Sequence, residues 1–181
     1  ECADLDDALA YFDYDVQGEL AGSARADLLE TEALRVPGVT AAEAWRFATT
    51  QRIREDGAES RSFITFGLPP QTTMVRPKLQ EGRWLLPADG NALVATANIR
   101  DDEPDLRVGD TLTLRVNGRD AAWTLVGIVE SPTQRPFLYT NAGPLEQATR
   151  DVGRATVVML RADSRDAATQ DRVGKAAAEH K

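Results

Sequence analysis

The sequence predicts an α+β fold in which helix-and-strand segments at both ends of the chain enclose a strand-rich middle. Residues 11–20 alternate apolar side chains with acidic or amide ones, which is the pattern of a half-buried strand. Residues 155–160 are a short apolar run, as in a buried strand. Between them, short alternating stretches are separated by Gly and Pro residues, which is typical of a small β lobe.

The first end of the chain has the order strand, helix, strand. The first strand is predicted over Tyr11–Leu20, and Ser23 is a candidate N-cap for a helix that runs to about Arg35. Pro37-Gly38 would end that helix. The second strand is predicted over Thr40–Ile53.

The other end supplies a strand and a helix. Ala155–Leu160 is the strand, and Ser164 is a candidate cap for a helix to about His180. Together the two ends have the order of a ferredoxin-like split βαβ sandwich, in which a final strand would be expected after Lys181. The predicted organisation is a ferredoxin-like lobe of residues 1–58 plus 139–181, interrupted by a β-rich lobe of residues 59–138.

The inserted lobe carries the clearest local signal. Asn117-Gly118 lies between two alternating segments and predicts a two-residue hairpin loop, because both residues tolerate a positive φ. The strands predicted in this lobe are Phe63–Leu68, Ala92–Ala97, Thr111–Val116 and Ala121–Val129.

The composition excludes some classes of function. The 181 residues are enough for one domain or two small lobes. The formal net charge of -8 would repel phosphate backbones, so no nucleic-acid partner is predicted. The sequence has no run of about 18 or more apolar residues, so no segment of it is predicted to span a membrane.

The residue types that common catalytic and cofactor sites require are scarce. Cys2 is the one cysteine and His180 the one histidine, so neither a disulfide nor a zinc site can form from them alone. Gly174-Lys175 resembles the end of a phosphate-binding loop, but Thr169 stands where the first Gly is required. We therefore predict no enzyme activity, no cofactor, and no catalytic or metal-ligating residue.

Two clusters have alternative interpretations. Asp101-Asp102-Glu103 with Asp105 could form a calcium loop, but the alternating ligand order is missing, which favours a solvated charged turn. In the segment Glu81–Leu85, Arg83 and Trp84 could clamp a ligand. Alternatively, Gly82 supplies an unusual backbone angle and Trp84 anchors the lobe, which is the interpretation we favour.

Five short segments, in order, resemble one family. The segments are Val36–Val39, Glu81–Leu85, Asp89–Val94, Val108–Leu112 and Thr124–Val129. They are similar to the motifs of the periplasmic core domain of macrolide-exporter (MacB-like) and FtsX-like ABC transporter permeases.

The resemblance implies a role outside the membrane. In this family the domain lies between the first two transmembrane helices of a permease that dimerises and pairs with a cytoplasmic ABC ATPase subunit. ATP-driven movement would then reach a client such as a toxin, a peptide, a lipoprotein or a cell-wall hydrolase. No residue of this chain is assigned to a client contact. The alternatives left open are a stand-alone extracytoplasmic binding or adaptor protein and a hydrolase that uses acidic residues.

Overall fold

The structure is a computed structural model of the chain, and part of the chain is described here. The described residues are 16–25, 31, 34–35, 39–70, 72, 75, 77–131, 134–150 and 154–162. For residues 16–25, 39 and 154–162 the backbone alone is described.

The described part of the chain is a mixed α and β structure made mostly of strands. Nine strands are joined in one network of backbone pairings, with two short helices. The strands are β1 Val16–Arg25, β2 Val39–Ile53, β3 Phe63–Leu68, β4 Leu79–Gly82, β5 Ala92–Thr96, β6 Thr111–Val116, β7 Arg119–Val129, β8 Phe137–Asn141 and β9 Arg154–Ala162, and the helices are α1 Ile99–Asp102 and α2 Ala142–Thr149.

The two ends of the chain meet in a three-stranded antiparallel sheet with the order β1-β9-β2. Because β9 is antiparallel to both neighbours, β1 and β2 run in the same direction with β9 between them. The prediction that the first strand and the strand near residue 155 share a sheet is confirmed. A helix cap at Ser23 is wrong, because Ser23 lies inside β1, which continues past an irregularity in its pairing with β9.

Strand β2 then continues into a second, mixed sheet of seven strands. Six of them close into a ring, here called the barrel, in the order β2-β3-β8-β5-β7-β6 and back to β2. The pairs β3–β8 and β5–β7 are parallel. Strand β4 pairs antiparallel with Gly127–Val129, at the C-terminal end of β7. Ring closure leaves these six strands few unpaired backbone groups.

The interior of the barrel is a single apolar cluster to which five of the six strands contribute buried side chains. Alternate residues of β6 point into it, as the predicted spacing of Leu112, Leu114 and Val116 requires. Ala48 of β2 packs against its edge. The buried members are Phe63, Leu93, Ala95, Ile99, Leu106, Leu112, Leu114, Val116, Trp123, Leu125, Ile128, Leu138 and Leu145.

A second apolar cluster covers the outer face of β3, β5 and β8. Phe66, Phe137 and Tyr139 form its aromatic centre, with ring centroids 5.2–6.3 Å apart. Val75 and Leu85, from the segment between β3 and β5, also pack into this cluster. Strands β5 and β8 are therefore buried on both faces, as parallel-paired strands usually are.

The predicted hairpin at Asn117-Gly118 is confirmed. Both residues have positive φ, 52° and 77°, and Val116 pairs with Arg119 across the two-residue loop. These are the features of a type I′ turn, whose twist matches that of the flanking strands.

Four elements were not predicted from the sequence: β4, α1, β8 and α2. Helix α2 contains Gly143 and Pro144, which weaken its helix signal. Pro144 is tolerated because it lies in the first turn, where its backbone N–H has no intrahelical partner to lose. Strand β8 follows Pro136 and is short, so its apolar run was not recognised as a strand.

The first predicted helix lies partly, and the second wholly, outside the described residues. Of the segment from Ser23 to Arg35, Thr31 and Leu34 are helical. The helix predicted from Ser164 to His180 lies entirely outside the described residues.

The turn geometry predicts the effect of a substitution at Gly118. Gly118→Val should lower the unfolding free energy by about 1–2 kcal/mol, because a β-branched residue is strained at positive φ. The matched variant Asn117→Gly should change it by a few tenths, since Gly adopts this conformation readily. Thermal unfolding followed by circular dichroism measures both. Equal melting midpoints for Gly118→Val and the unmodified chain would contradict the turn assignment.

Candidate functional site

Three of the sequence motifs meet at one place in the fold, here called the motif junction. Gly82 of β4 lies opposite Gly127 of β7 in the antiparallel pair. A Cβ atom on Gly82 would overlap the carbonyl oxygen of Val126, and one on Gly127 would overlap the carbonyl oxygen of Arg83. Gly82 also has a φ of 69°. Both positions therefore require glycine, which lets the two backbones approach closely.

The third motif reaches the junction from the loop before β6. The N–H of Gly109 donates to the carbonyl oxygen of Leu125 at 2.7 Å, and the N–H of Leu125 donates to that of Asp110 at 2.9 Å. A side-chain carbon of Val108 lies 2.9 Å from the place that a Cβ of Gly82 would take. Segment 125–127 thus makes backbone contacts with segments 81–83 and 108–110, and the Val108 side chain packs beside Gly82.

Arg83 and Trp84 make their described contacts within the fold. Both terminal nitrogens of Arg83 donate to the carboxylate of Asp89, at 2.8 and 3.1 Å, and these bonds lower the pKa of Asp89. The ring of Trp84 packs edge-on against Tyr139, with centroids 5.3 Å apart. These contacts match the interpretation in which the motif anchors the lobe.

The loop after Arg83 is held by further bonds. The N–H of Leu86 donates to Asp89 Oδ2 at 2.8 Å, and the N–H of Asp89 donates to the carbonyl oxygen of Leu86 at 3.0 Å. Asn141, at the start of α2, donates hydrogen bonds from its side-chain amide to the backbone carbonyl oxygens of Leu86 and Asp89. Asp89 is therefore the centre of the acidic turn that the sequence indicated.

An ionic cluster joins the end of β2 to the loop after α1. Both oxygens of Glu103 accept hydrogen bonds from Arg54, and Oε2 also accepts one from Arg52, at 2.6–3.1 Å. Arg52 donates to both oxygens of Asp105 as well, at 2.8 and 2.7 Å. These bonds lower the pKa of Asp105 and raise that of Arg52.

Burial distinguishes Glu103 from the rest of its acidic segment. Its side chain is 1% exposed, so the prediction of a solvated turn is wrong at this residue. Asp101, which lies in α1, and Asp105 are exposed to solvent. A carboxylate is buried at a tolerable cost when it is paired and hydrogen-bonded, and two guanidinium groups do this here. No local pattern predicts this burial, because the partners are 49 and 51 residues away.

The arginines occupy the carboxylates that a calcium loop would have used. Among the described residues, no three His, Cys, Asp or Glu side chains converge as a metal site requires. Cys2, His180 and Gly174-Lys175 lie outside the described residues. Trp45 and Trp123 are core residues, 0% and 1% exposed, as expected for tryptophans on strands.

The comparisons with known proteins point to one family. A family model described as the MacB-like periplasmic core domain matches residues 7–176. The chain belongs to this family. The resemblance inferred from the motifs is thereby confirmed, and the motif junction lies inside the matched region. No curated protein matches the chain.

Two solved structures share the fold at low sequence identity. The extracellular domain of YknZ, a noncanonic ABC-type transporter from Gram-positive bacteria, is 14% identical with a TM-score of 0.64, over 91% of this chain and 90% of that one. The periplasmic region of MacB from Actinobacillus actinomycetemcomitans is 13% identical with a TM-score of 0.61, over 91% of this chain and 80% of that one.

The MacB-like chain is the extracytoplasmic domain of an ABC transporter permease. This family is not itself catalytic, and the ATPase is a separate part of the transporter. None of the helices in the described part of the MacB-like chain has the length and apolar character of a membrane span.

The glycine pair of the motif junction gives a prediction about stability. Gly127→Ala should lower the unfolding free energy by at least about 2–3 kcal/mol, because the added methyl group meets backbone that cannot move aside. Gly90→Ala is the matched control, since a Cβ there has open space and no positive φ. It should be neutral or slightly stabilising. Urea unfolding compares the two, and equal stabilities would contradict the close approach of β4 and β7.

The ionic cluster gives a prediction that depends on pH. Arg52→Gln should cost about 1–3 kcal/mol at pH 7, because the buried Glu103 and the exposed Asp105 each lose a charged donor. The folded-state pKa of Asp105 is lowered, so its contribution is complete above the ordinary value of 3.8 and is lost as the pH falls below it. The cost of Arg52→Gln should therefore shrink below that value.

Urea unfolding at pH 7 and at progressively lower pH measures this difference. The control is Arg61→Gln, which removes an exposed pair with Asp102 and should cost at most about 0.5 kcal/mol. A cost for Arg52→Gln that stays constant, or grows, as the pH falls would refute the assignment.

Proposed function

We propose that this domain couples ATP-driven movement of the permease's transmembrane helices to the export or regulation of a client outside the membrane. The observation that carries the proposal is the family match over residues 7–176. A domain held by transmembrane helices can receive a rigid-body displacement from them, and it needs no nucleotide site of its own.

The arrangement of the two sheets supports the division of the fold into two lobes. The order β1-β9-β2, with β9 antiparallel to both, is the strand arrangement of a split βαβ unit. We infer that this sheet is the centre of a ferredoxin-like lobe, and that the barrel is the β-rich lobe inserted into it. The boundaries of residues 1–58 plus 139–181 and residues 59–138 stay a prediction, and β2 takes part in both sheets.

The proposal implies three partners and one location. The partners are a cytoplasmic ABC ATPase subunit, reached through the full-length permease, a second permease protomer, and an extracytoplasmic client whose identity is unknown. The full-length protein would be an integral protein of the plasma membrane, with this domain on its periplasmic or extracellular face. The acidic charge of -8 favours neither nucleic acid nor anionic lipid headgroups as a partner.

Replacing residues 11–160 of the parent permease by a short Gly-Ser linker tests the coupling. We expect the physiological output of the transporter to be lost in cells that lack the unmodified permease. Hydrolysis of ATP by the purified permease–ATPase complex should persist, because the nucleotide sites lie on the other side of the membrane. Complementation in cells and ATPase assays measure the two properties separately.

Point variants provide a matched pair for the same assay. Gly127→Ala, which disturbs the motif junction, should reduce the output, whereas Gly90→Ala should leave it unchanged. Membrane levels of each variant are measured by immunoblot, so that loss of output is not confused with loss of protein. Full output from the linker variant would refute the coupling role.

A further inference from the structure

Strand β2 passes from one sheet into the other without a break. Residues Val39–Trp45 pair with β9, Arg46–Thr50 pair with β3, and Thr50–Ile53 pair with β6. The fifteen residues contain neither Gly nor Pro. The irregularity in its pairing with β9 lies at the start of the strand, between Val39 and Ala41, and not where the partner changes.

The change of partner from β9 to β3 lies within the longest buried stretch of the strand. Four consecutive residues, Glu43, Ala44, Trp45 and Arg46, are buried, so both faces of the strand are covered there. We call these four residues the joint. Side chains on either side of it are more exposed, as at Thr40 and Thr49. A strand buried on both faces cannot bend without opening packed contacts.

Specific bonds hold each face of the joint. On one face, Trp45 Nε1 donates to Glu43 Oε2 at 2.9 Å, and Thr72 Oγ1 donates to the same oxygen at 2.5 Å. The Trp45 ring packs edge-on against Phe66 of β3, with centroids 6.0 Å apart. These contacts tie residues before the change of partner to a barrel strand after it.

On the opposite face, helix α2 lies across the joint. Arg46 Nη2 donates to Thr149 Oγ1 at 3.2 Å. At Gly67 of β3, Leu145 and Ala142 of the helix come so close that a Cβ would lie 2.9–3.1 Å from them. The helix therefore packs directly on β2 and β3. Arg46 lies on the opposite side of the strand from Trp45, and it is buried on that side.

We propose that β2 is a rigid arm whose locked joint makes the three-stranded sheet and the barrel move as one body. This inference rests on the proposed function, since it concerns how displacement would pass through the domain. A hinge would need residues whose backbone angles can change freely, in a loop or at the end of an element. The joint instead lies in mid-strand and is packed and hydrogen-bonded on both faces.

Amide hydrogen exchange on this 181-residue chain tests the arm directly. The amides of residues 43–47 should exchange as slowly as those of β3 and β6, within about tenfold, because they open only with the barrel. Exchange at the joint more than about a hundredfold faster than in the flanking residues 41–42 and 48–50 would indicate a hinge and overturn the proposal.

Two conservative substitutions separate the joint from general loss of core packing. Trp45→Phe removes the N–H that binds Glu43, whereas Trp123→Phe removes an N–H for which the described residues offer no acceptor. Trp45→Phe should speed exchange at the joint at least tenfold more than in β6. Trp123→Phe should speed hydrogen exchange at the joint no more than it speeds exchange in β6. Equal effects of the two variants at the joint would refute the locking role of Trp45.

A distance measurement checks that the two sheets move together. Spin labels are attached at Thr40→Cys and Arg119→Cys in a Cys2→Ser background. They lie on opposite sides of the joint, and the distance between them is measured. One narrow distance distribution is expected, and it should broaden with Trp45→Phe. Two or more populations in the unmodified background would overturn the arm. Either result leaves the linker experiment on the parent permease unaffected, so the arm and the coupling role can fail independently.

Discussion

The fold depends on one strand that is shared by two sheets. β2 must remain a continuous strand over fifteen residues, because its successive parts pair with different strands. A break in it would separate the two ends of the chain from the barrel. The aromatic, acidic and basic side chains of its buried centre are explained by this requirement, since they fix the strand to β3 on one face and to α2 on the other.

The motifs that carry the family resemblance have a structural role. Gly82 and Gly127 let β4 and β7 approach closely, and Gly109 adopts a φ of 97° where the chain enters β6. At Gly82 and Gly127 the facing backbone leaves no room for a side chain.

The charges of this acidic chain are also organised. Arg52 and Arg54 surround Glu103, Arg83 holds Asp89, and other described arginines bind carboxylates on neighbouring strands and loops. Glu103 and Asp105 belong to the segment for which a calcium loop was the alternative interpretation. Their pairing with arginine fixes the loop after α1 to the end of β2, where it helps to close the barrel.

Local chemistry alone determined several parts of this protein. The alternation of β6 and the turn at Asn117-Gly118 were correct from the sequence, because period-two burial and positive φ depend on neighbouring residues. The strand Phe63–Leu68 was also correct, as a short apolar run that ends before Pro69. The family motifs were recognised for a similar reason, since each is a short run with a fixed backbone requirement.

Tertiary structure alone decided the rest. The parallel pairs β3–β8 and β5–β7 join segments far apart in the chain, and no local pattern encodes which strands pair. The length of β1 depends on β9, which extends the strand past Ser23 to Arg25. Likewise, the burial of Arg46 and Glu103 follows from partners about fifty or more residues away, because a charged side chain can be buried only where the fold brings it a partner.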